Sequence, residues 1–271
     1  MAAADYWRDA LSEWEIPPAI LAAAPESPWG FPRGLFEARA DLALHRRTPS
    51  NRAALEWLPE RGSVLDVGCG AGAASLPLAE HARRLIGVDV SANFLAEFRA
   101  RALPLVESVE TVEGGWPDVA GTVEVADVVV CSNVAYNVPG LADFAVALTE
   151  HARQRVVLEL SFHHPMSALN ELWLRFHGVK RPDRPTADDC EAVLVQARLE
   201  PRRTEWVPEG PRARLGRDEM VAWTRRRLCL SADRDPEIEE AIQPWLDDQG
   251  GATQPGGSIV TFDWAGSGAA G

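Results

Sequence analysis

The apolar positions of this chain change their spacing near residue 60. Before that point they recur at helical spacing, which predicts amphipathic helices, over Ala4–Trp14, Pro18–Ala24 and Arg33–His45. Proline and glycine interrupt the pattern in Pro25–Gly34, and Pro49 begins another helix that runs to about Leu58. Residues 1–60 are therefore predicted to form a helical cap ahead of the main domain.

From residue 61 onward, short runs of β-branched and apolar residues alternate with helical segments. The predicted strands are Ser63–Val67, Arg84–Val88, Val109–Val112, Asp127–Cys131, Arg155–Phe162, Thr204–Val207 and Ser258–Trp264. The predicted helices between them include Ala73–His81, Ala92–Ala102 and Leu141–Ala152. Such alternation is typical of an α/β fold, in which right-handed crossovers connect parallel strands and helices cover both faces of the sheet.

Two longer segments interrupt this alternation and are predicted to be helical insertions that form a lid. The first, 163–187, contains an amphipathic stretch and a proline-rich turn, after which Thr186 is placed to cap a helix. The second, 213–250, is mostly helical in pattern. Residues 61–264 would then form one domain, followed by a flexible tail over 265–271 that is rich in glycine and other small residues.

The net charge of the chain bears on its partners. The sequence has 40 acidic and 27 basic residues, which gives a net charge of −13, whereas a nucleic-acid-binding protein usually presents a basic face. We therefore expect a small-molecule substrate and keep a protein substrate as a second possibility. Neither nucleic acid nor a membrane is expected as a partner, and the sequence leaves the oligomeric state open.

Cysteine and histidine spacing gives no indication of a metal site. Cys69, Cys131, Cys190 and Cys229 form no C-x-x-C pair, and no set of histidines has the spacing of zinc ligands. The first residues lack the apolar core of a secretory signal, and no apolar run approaches the roughly 20 residues that span a membrane. A reduced, cytoplasmic setting is therefore the expectation.

A glycine-rich loop joins the first predicted strand to the segment that follows it. Gly68, Gly70 and Gly72 would let a ligand approach the backbone closely. Asp89 ends the second strand, where a carboxylate can accept hydrogen bonds from ribose hydroxyls. The loop also satisfies the dinucleotide fingerprint G-x-G-x-x-A. Asp66 favours S-adenosylmethionine over a dinucleotide as the ligand of this loop. An acid at this position suits the sulfonium and ammonium groups of S-adenosylmethionine better than the anionic pyrophosphate of a dinucleotide.

The stretch Asp66–Gly72 resembles motif I of the class I S-adenosylmethionine-dependent methyltransferases, and Leu85–Ser91 resembles their second motif. The resemblance covers about Ser63–Phe162. It implies a Rossmann-like, seven-stranded, mostly parallel sheet with an antiparallel last strand, with S-adenosylmethionine as methyl donor and S-adenosylhomocysteine as product. The expected cofactor-binding residues are Asp66, Gly68, Cys69, Gly70, Gly72, Asp89, Val90, Gly115, Trp116, Ser132 and Asn133.

One position departs from the pattern of this family. The loop after the third strand usually offers a Gly-Asp pair, whose acid contacts the adenine amino group. In this chain Gly115 stands at the position of that acid. Backbone groups of Gly115 and Trp116, or the nearby Asp118, could take over the contact.

Candidates on the methyl-acceptor side follow the fourth and fifth strands, because ligands gather at the carboxyl ends of parallel strands. Tyr136 follows the fourth strand, and Glu159, His163 and His164 lie in or just after the fifth. Either histidine could serve as a general base, since histidine titrates near neutral pH. The candidate catalytic residues are Tyr136, His163 and His164, and the candidate substrate-binding residues are Tyr136, Trp173 and His177.

The N-terminal helices have a counterpart in the family, where such segments often cover the cofactor. Phe36, Arg39 and Arg46 are the candidates for this role. An arginine there could pair with the methionine carboxylate of the cofactor.

Two other functions fit the same loop. One is an NAD(P)-dependent oxidoreductase on a Rossmann domain, against which Asp66 argues. The other is a non-catalytic protein that binds S-adenosylmethionine without releasing S-adenosylhomocysteine. The favoured function is transfer of a methyl group by in-line displacement. The sequence identifies neither the acceptor atom nor the need for a general base.

Overall fold

The computed structural model describes residues 2–29, 33–44, 46–209, 214–247, 251–253 and 255–269. Within these ranges the chain forms nine strands: β1 (Gly62–Val67), β2 (Ala82–Asp89), β3 (Ser108–Glu113), β4 (Ala126–Ser132), β5 (Ala152–Ser161), β6 (Arg202–Trp206), β7 (Leu215–Gly216), β8 (Gly251–Ala252) and β9 (Ile259–Ala265). A seven-stranded sheet has the order β3-β2-β1-β4-β5-β9-β6, and β7 pairs with β8 separately.

The pairing of the strands confirms the predicted topology. β1 pairs in parallel with β2 and β4, and the parallel sheet continues to β3 on one side and β5 on the other. β9 lies between β5 and β6 and runs antiparallel to both. The strand order reverses between β1 and β4, and open α/β sheets bind their ligands at the carboxyl ends of the strands beside such a point.

Ten α-helices accompany the sheet in the described ranges: α1 (Ala3–Ser12), α2 (Pro18–Ala23), α3 (Arg33–Leu44), α4 (Pro49–Leu55), α5 (Ala92–Ala102), α6 (Leu141–Glu150), α7 (Asn170–His177), α8 (Ala187–Gln196), α9 (Arg217–Arg227) and α10 (Asp235–Ala241). The first four confirm the helical pattern predicted for the N-terminal residues, although His45 lies outside the described residues. Among the described helices, none combines the length and the apolar character needed to cross a membrane.

Helices cover both faces of the sheet, as predicted. On one face α1, α6 and α8 pack over side chains that include Leu65 and Leu158. On the other face α4 and α5 pack over side chains that include Val64 and Val157. Neighbouring residues of one strand enter different cores because successive side chains of a strand point to opposite faces. Burying such a side chain contributes roughly 1.5–3 kcal/mol, so both cores hold the strand ends in fixed positions.

The predicted helix Ala73–His81 is wrong. The segment forms turns around one short 3₁₀ helix, Leu76–Leu78. Pro77 accounts for the difference, because proline has no backbone N–H to donate and its ring disfavours helical geometry in the preceding residue. The Leu76 N–H still donates to the Gly72 carbonyl oxygen at 3.0 Å, but the next residue cannot continue the ladder.

The two insertions form a third hydrophobic core beside the sheet. Buried residues of α7, α9 and α10 pack together, with Ile16 and Ile20 of the N-terminal segment against them. α7 ends at Gly178, whose φ is +65°, a conformation that glycine adopts at low cost at helix ends. Thr186 precedes α8, where its N–H and hydroxyl both donate to the Asp189 carboxylate. The helical insertions therefore agree with the sequence pattern, and their action as a lid stays a prediction.

The predicted flexible tail differs from the structure over its described part. Ala265 is the last residue of β9, and the N–H groups of Gly266, Ser267 and Gly268 donate to backbone carbonyl oxygens of 149–154 at 2.9–3.0 Å. A Cβ on Gly266 would lie 2.0 Å from the Ala152 carbonyl oxygen. Glycine therefore serves here to let the chain lie directly against β5, and the sequence pattern does not distinguish this use from fraying.

Candidate functional site

The glycine loop follows β1 and is held in one conformation. Gly68, Gly70 and Gly72 have φ values of +72°, +50° and +91°, a region that costs other residues about 1–2 kcal/mol. The N–H groups of Gly68 and Cys69 both donate to the Val88 carbonyl oxygen, at 2.8 and 3.0 Å. A Cβ on Gly68 would lie 2.3 Å from Cγ2 of Val134 in the loop after β4. The backbone of the glycine loop therefore passes too close to the loop after β4 to leave room for a side chain at Gly68.

Asp66 lies at the end of β1 and is fully buried. The Ser75 hydroxyl donates to its Oδ2 at 2.5 Å, whereas Oδ1 is buried and has no hydrogen-bond partner among the described residues. Burial raises the pKa of Asp66 to about 7, and the negative charge of Asp89 acts in the same direction. An unpartnered buried carboxylate oxygen is costly, so the site fits a ligand that brings a hydrogen-bond donor or a positive charge.

Asp89 ends β2 and braces the glycine loop. Its Oδ2 accepts from the Gly70 N–H and its Oδ1 accepts from the Ser91 N–H, both at 2.9 Å. An ionised carboxylate has about four acceptor sites, so each oxygen can still accept from a ribose hydroxyl. The Val90 side chain beside it is 72% exposed. An exposed apolar side chain at this edge offers a surface on which a planar base could pack.

The loop after β3 carries the departure from the family pattern. Gly114 has a φ of +151°, and a Cβ on the following Gly115 would lie 3.9 Å from Oδ2 of Asp118. The Asp118 carboxylate therefore lies in van der Waals reach of the position where the family places an acid. The Trp116 ring instead packs edge-on against His151, with centroids 4.8 Å apart. This contact favours a packing role for the indole over stacking on adenine.

Asp118 is expected to contribute to recognition of the adenine amino group. Replacing Asp118 by asparagine keeps the shape but changes one acceptor oxygen to a donor. We expect the affinity for S-adenosylmethionine to fall about tenfold, the effect of one hydrogen bond to a charged group, as measured by calorimetry. The exposed Asp143→Asn serves as the control. An unchanged affinity for the Asp118 variant would remove this residue from the adenine site.

The end of β4 lies between the glycine loop and β5. Ser132 is the last residue of the strand, and Asn133 adopts a φ of +61°. The Asn133 N–H donates to the Glu159 carbonyl oxygen at 2.8 Å. Both residues stand at the carboxyl edge beside the glycine loop, as the sequence predicts, and their contact with a cofactor stays a prediction.

Tyr136 is buried and engaged. Its hydroxyl lies 2.9 Å from the carbonyl oxygens of Ser161 and Phe162, to which it donates, and burial raises its pKa. Its ring stacks on Trp7 of α1 with centroids 5.6 Å apart. These contacts tie α1 to the end of β5 and suit a structural role better than proton transfer.

The two histidines after β5 differ sharply. His163 is exposed and packs edge-on against Phe162. His164 stacks on Trp14 with centroids 3.9 Å apart, and its Nδ1 accepts from the Met166 N–H at 3.2 Å. Burial, with the nearby positive charge of Arg181, lowers the pKa of His164 to about 3. His164 is therefore neutral with its proton on Nε2, which opposes a role as general base.

Trp173 belongs to the third hydrophobic core, and His177 ends the same helix, α7. Trp173 is buried, and the Arg181 guanidinium lies 5.0 Å from its ring centroid. The His177 Nε2 lies 2.6 Å from the Leu228 carbonyl oxygen, so this nitrogen carries the proton and donates. Both contacts hold α7 to its neighbours, and neither brings these side chains to the glycine loop. Binding of the substrate by Trp173 and His177 stays a prediction.

The N-terminal cap also has residues near the glycine loop. Arg46 has its Nη2 buried without a hydrogen-bond partner among the described residues, and the adjacent Arg47 donates to the Pro77 carbonyl oxygen at 3.3 Å and pairs with Glu80. The segment after α3 therefore lies beside the turns that follow the glycine loop. The side chains of Phe36 and Arg39 lie outside the described part of the structure.

One polar residue of this edge carries no signal in the sequence. Ser50, the second residue of α4, donates through its hydroxyl to Oε2 of Glu159 at 2.5 Å and lies 2.7 Å from the Thr261 hydroxyl. No local pattern indicates this contact, because 109 residues separate Ser50 from Glu159. Pro49 before it indicates only that a helix begins there.

Comparison with known proteins agrees with this geometry. Residues 64–164 match the model of a methyltransferase domain family. No curated protein matches the chain. The fold resembles that of a cyclopropane-fatty-acyl-phospholipid synthase-like protein from Lactobacillus casei, with a TM-score of 0.57, 16% identity, and coverage of 95% of this chain and 99% of that one.

Two further solved structures share the fold. The YcgJ protein from Bacillus subtilis has a TM-score of 0.53 and 18% identity, and the match covers 86% of this chain and 100% of that one. A putative methyltransferase from Bacillus halodurans has a TM-score of 0.53 and 16% identity, covering 80% and 98%. Residues 64–164 therefore form a methyltransferase domain, and the motif at Asp66–Gly72 within it resembles motif I of the class I S-adenosylmethionine-dependent enzymes.

Proposed function

We propose that this methyltransferase acts on a small molecule, held at the carboxyl ends of β4 and β5 beside the glycine loop. The observation that carries the choice of cofactor is the buried, unpartnered Oδ1 of Asp66. A dinucleotide would bring an anionic pyrophosphate toward that carboxylate, whereas S-adenosylmethionine brings an ammonium and a sulfonium.

Four residues would each serve one group of S-adenosylmethionine. Asp66 would serve the ammonium, Asp89 the ribose hydroxyls and Asp118 the adenine amino group. Arg46, whose buried Nη2 has no partner among the described residues, would pair with the carboxylate of the methionine part. When bound, the cofactor supplies a methyl group that is already activated by its positively charged sulfur.

The protein itself contributes alignment and exclusion of water. Methyl transfer requires the acceptor atom, the methyl carbon and the sulfur in one line, and holding reactants in such geometry can supply roughly 7–11 kcal/mol of barrier reduction. The loop, fixed by the Val88 carbonyl oxygen and by Asp89, would hold the methyl donor in one position for this alignment. Helices α1–α4 on one side and the third hydrophobic core on the other are the elements that would keep out water.

The cover over this edge and the negative charge of the chain favour a small acceptor that is not polyanionic. An edge covered by both the N-terminal segment and the third hydrophobic core would suit a small molecule better than a folded macromolecule. A net charge of −13 further disfavours a polyanionic acceptor.

Transfer of a labelled methyl group tests the proposal. The full chain is incubated with methyl-labelled S-adenosylmethionine and with either the low-molecular-weight fraction or the protein fraction of a cell extract. We expect label to enter the small-molecule fraction, and the variant Gly68→Ala to abolish this transfer. Label that enters only the protein fraction would contradict a small-molecule acceptor while leaving the methyltransferase activity in place.

A further inference from the structure

Glu159 occupies a distinctive place on the acceptor side of the sheet. In β5 it pairs with Ser132 of β4 and with Thr261 of β9. Gly68 and Ser132 each lie two residues beyond the paired Asp66 and Val130, so the loop, Ser132 and Glu159 stand at one level of the sheet. Since neighbouring strands lie about 4.8 Å apart, Glu159 is roughly 10 Å from the loop, within the span of a small molecule.

A chain of hydrogen bonds fixes the orientation of this carboxylate. The Trp206 Nε1–H donates to Oγ1 of Thr261 at 3.0 Å, which leaves the Thr261 hydroxyl to donate to Oγ of Ser50 at 2.7 Å. Ser50 then donates to Oε2 of Glu159 at 2.5 Å. Every donor in this chain points toward Glu159, so the arrangement is satisfied when Glu159 is an ionised acceptor.

The carboxylate has no cationic partner in the described part of the chain. The Ser50 hydroxyl is the side-chain donor that reaches Oε2, and the described ion pairs of this protein lie elsewhere. Burial raises the pKa of Glu159, and the Ser50 hydrogen bond opposes this effect only in part. A half-buried carboxylate with a free oxygen and no counter-charge is therefore held ready for a ligand that carries an N–H group.

The surroundings favour an amine over an alcohol as that ligand. An alcohol or phenol must lose its proton before or during attack, and the neutral His164, with Nδ1 already engaged, is poorly suited to remove it. A carboxylate beside a developing oxyanion would also repel it. An amine that arrives as an ammonium ion loses that one proton to water, a far easier step than deprotonating an alcohol. The neutral amine then attacks, and its nitrogen gains positive charge during the reaction, which a nearby carboxylate stabilises.

We propose that Glu159 binds the acceptor nitrogen, and that the enzyme N-methylates a small primary or secondary amine. This inference rests on the proposed function at the same site. The Glu159 Oε1 accepts an N–H of the acceptor and thereby aims the nitrogen lone pair at the methyl carbon. The C–S bond breaks as the N–C bond forms, and the sulfur retains the bonding pair. The product ammonium then releases one proton to Glu159 or to water.

The substitution Glu159→Gln tests this assignment, because glutamine keeps the shape and the Ser50 contact but loses the negative charge. The probes are benzylamine and N-methylbenzylamine, with benzyl alcohol and phenol as oxygen counterparts. Release of S-adenosylhomocysteine is measured with the full chain, and binding of each probe to the complex with S-adenosylhomocysteine is measured by its effect on the melting temperature. Glu200→Gln, at an exposed position, is the matched control.

We expect the amines, and not the oxygen probes, to bind the complex and to be methylated. Glu159→Gln should lower kcat/KM for an amine about 100-fold and abolish its thermal shift, with an unchanged affinity for S-adenosylhomocysteine. The proposal is overturned if no amine binds the complex, if the oxygen probes are preferred, or if Glu159→Gln behaves like Glu200→Gln. If the unmodified chain does not bind S-adenosylhomocysteine, the proposed function itself is contradicted.

Discussion

Replacement of Gly68 by alanine is expected to weaken the binding of S-adenosylmethionine by at least about 30-fold. Two costs add at this position. The φ of +72° disfavours a side chain by about 1–2 kcal/mol. The new Cβ would lie 2.3 Å from Cγ2 of Val134, and overpacking of this kind costs about 1–3 kcal/mol. The loop can relieve both costs only by leaving the conformation that fits the cofactor.

Titration calorimetry of purified protein measures this effect, and Gly121→Ala is the control. A Cβ on Gly121 would meet no atom within 4 Å, so that variant should bind normally. Circular dichroism should show that the Gly68 variant keeps its fold, since the strands around the loop are held by two separate cores. Binding by Gly68→Ala within a few-fold of the unmodified chain would mean that this loop does not hold the cofactor.

The second large effect concerns Asp66 and pH. In the unfolded chain this carboxyl has its ordinary pKa of 3.8, and burial raises the pKa to about 7 in the folded protein. At a pH between these two pKa values, Asp66 is ionised in the unfolded chain but still protonated in the folded protein. The ligand-free protein therefore loses stability as the pH rises from about 4 to about 7, by at most about 4 kcal/mol, and is most stable with respect to this group at low pH.

A cationic ligand reverses this cost, because it pairs with the ionised form of Asp66. Binding of S-adenosylmethionine should then lower the pKa of Asp66 and release a proton. We expect the dissociation constant to fall about 20-fold between about pH 5.5 and about pH 7.5, as the ionised fraction of Asp66 in the free protein increases. Calorimetry in buffers of different ionisation enthalpy would report both the affinity and the proton release.

Asp66→Asn isolates the contribution of this group. The variant should be more stable than the unmodified chain near pH 8 without ligand, because no charge is buried. Its affinity for S-adenosylmethionine should be lower at pH 7.5 and nearly independent of pH. Asp143→Asn, which alters an exposed residue, should retain the full dependence. A pH dependence that survives in Asp66→Asn would assign it to another group.

The sheet could be predicted because its signals are local. Runs such as Asp127–Cys131 and Arg155–Phe162 identify buried strands, and the glycines after Val67 identify the turn between β1 and the segment that follows. The helix predicted over Ala73–His81 failed at Pro77, where the apolar spacing is helical but the backbone lacks a donor. The glycines of the C-terminal segment were equally ambiguous, because close packing on β5 and fraying call for the same residue type.

The sequence predicts residues of the candidate site only where they lie close together in one short stretch of chain. Asp66, Gly68 and Asp89 lie in two strand-and-turn motifs that the sequence displays directly. The partners of Glu159 come instead from α4, β6 and β9, which are brought together by the order of the strands. The sequence likewise could not show that His164 is poorly suited to act as a general base. Its burial against Trp14 depends on a contact between residues 150 positions apart in the sequence.

The most direct test of the account is calorimetric titration of the full chain with S-adenosylhomocysteine and, separately, with NADH. We expect S-adenosylhomocysteine to bind one site per chain with a dissociation constant in the micromolar range or below, and NADH to give no binding heat. Binding of NADH together with no binding of S-adenosylhomocysteine would contradict the assignment of the glycine loop and of Asp66 to a methyl donor.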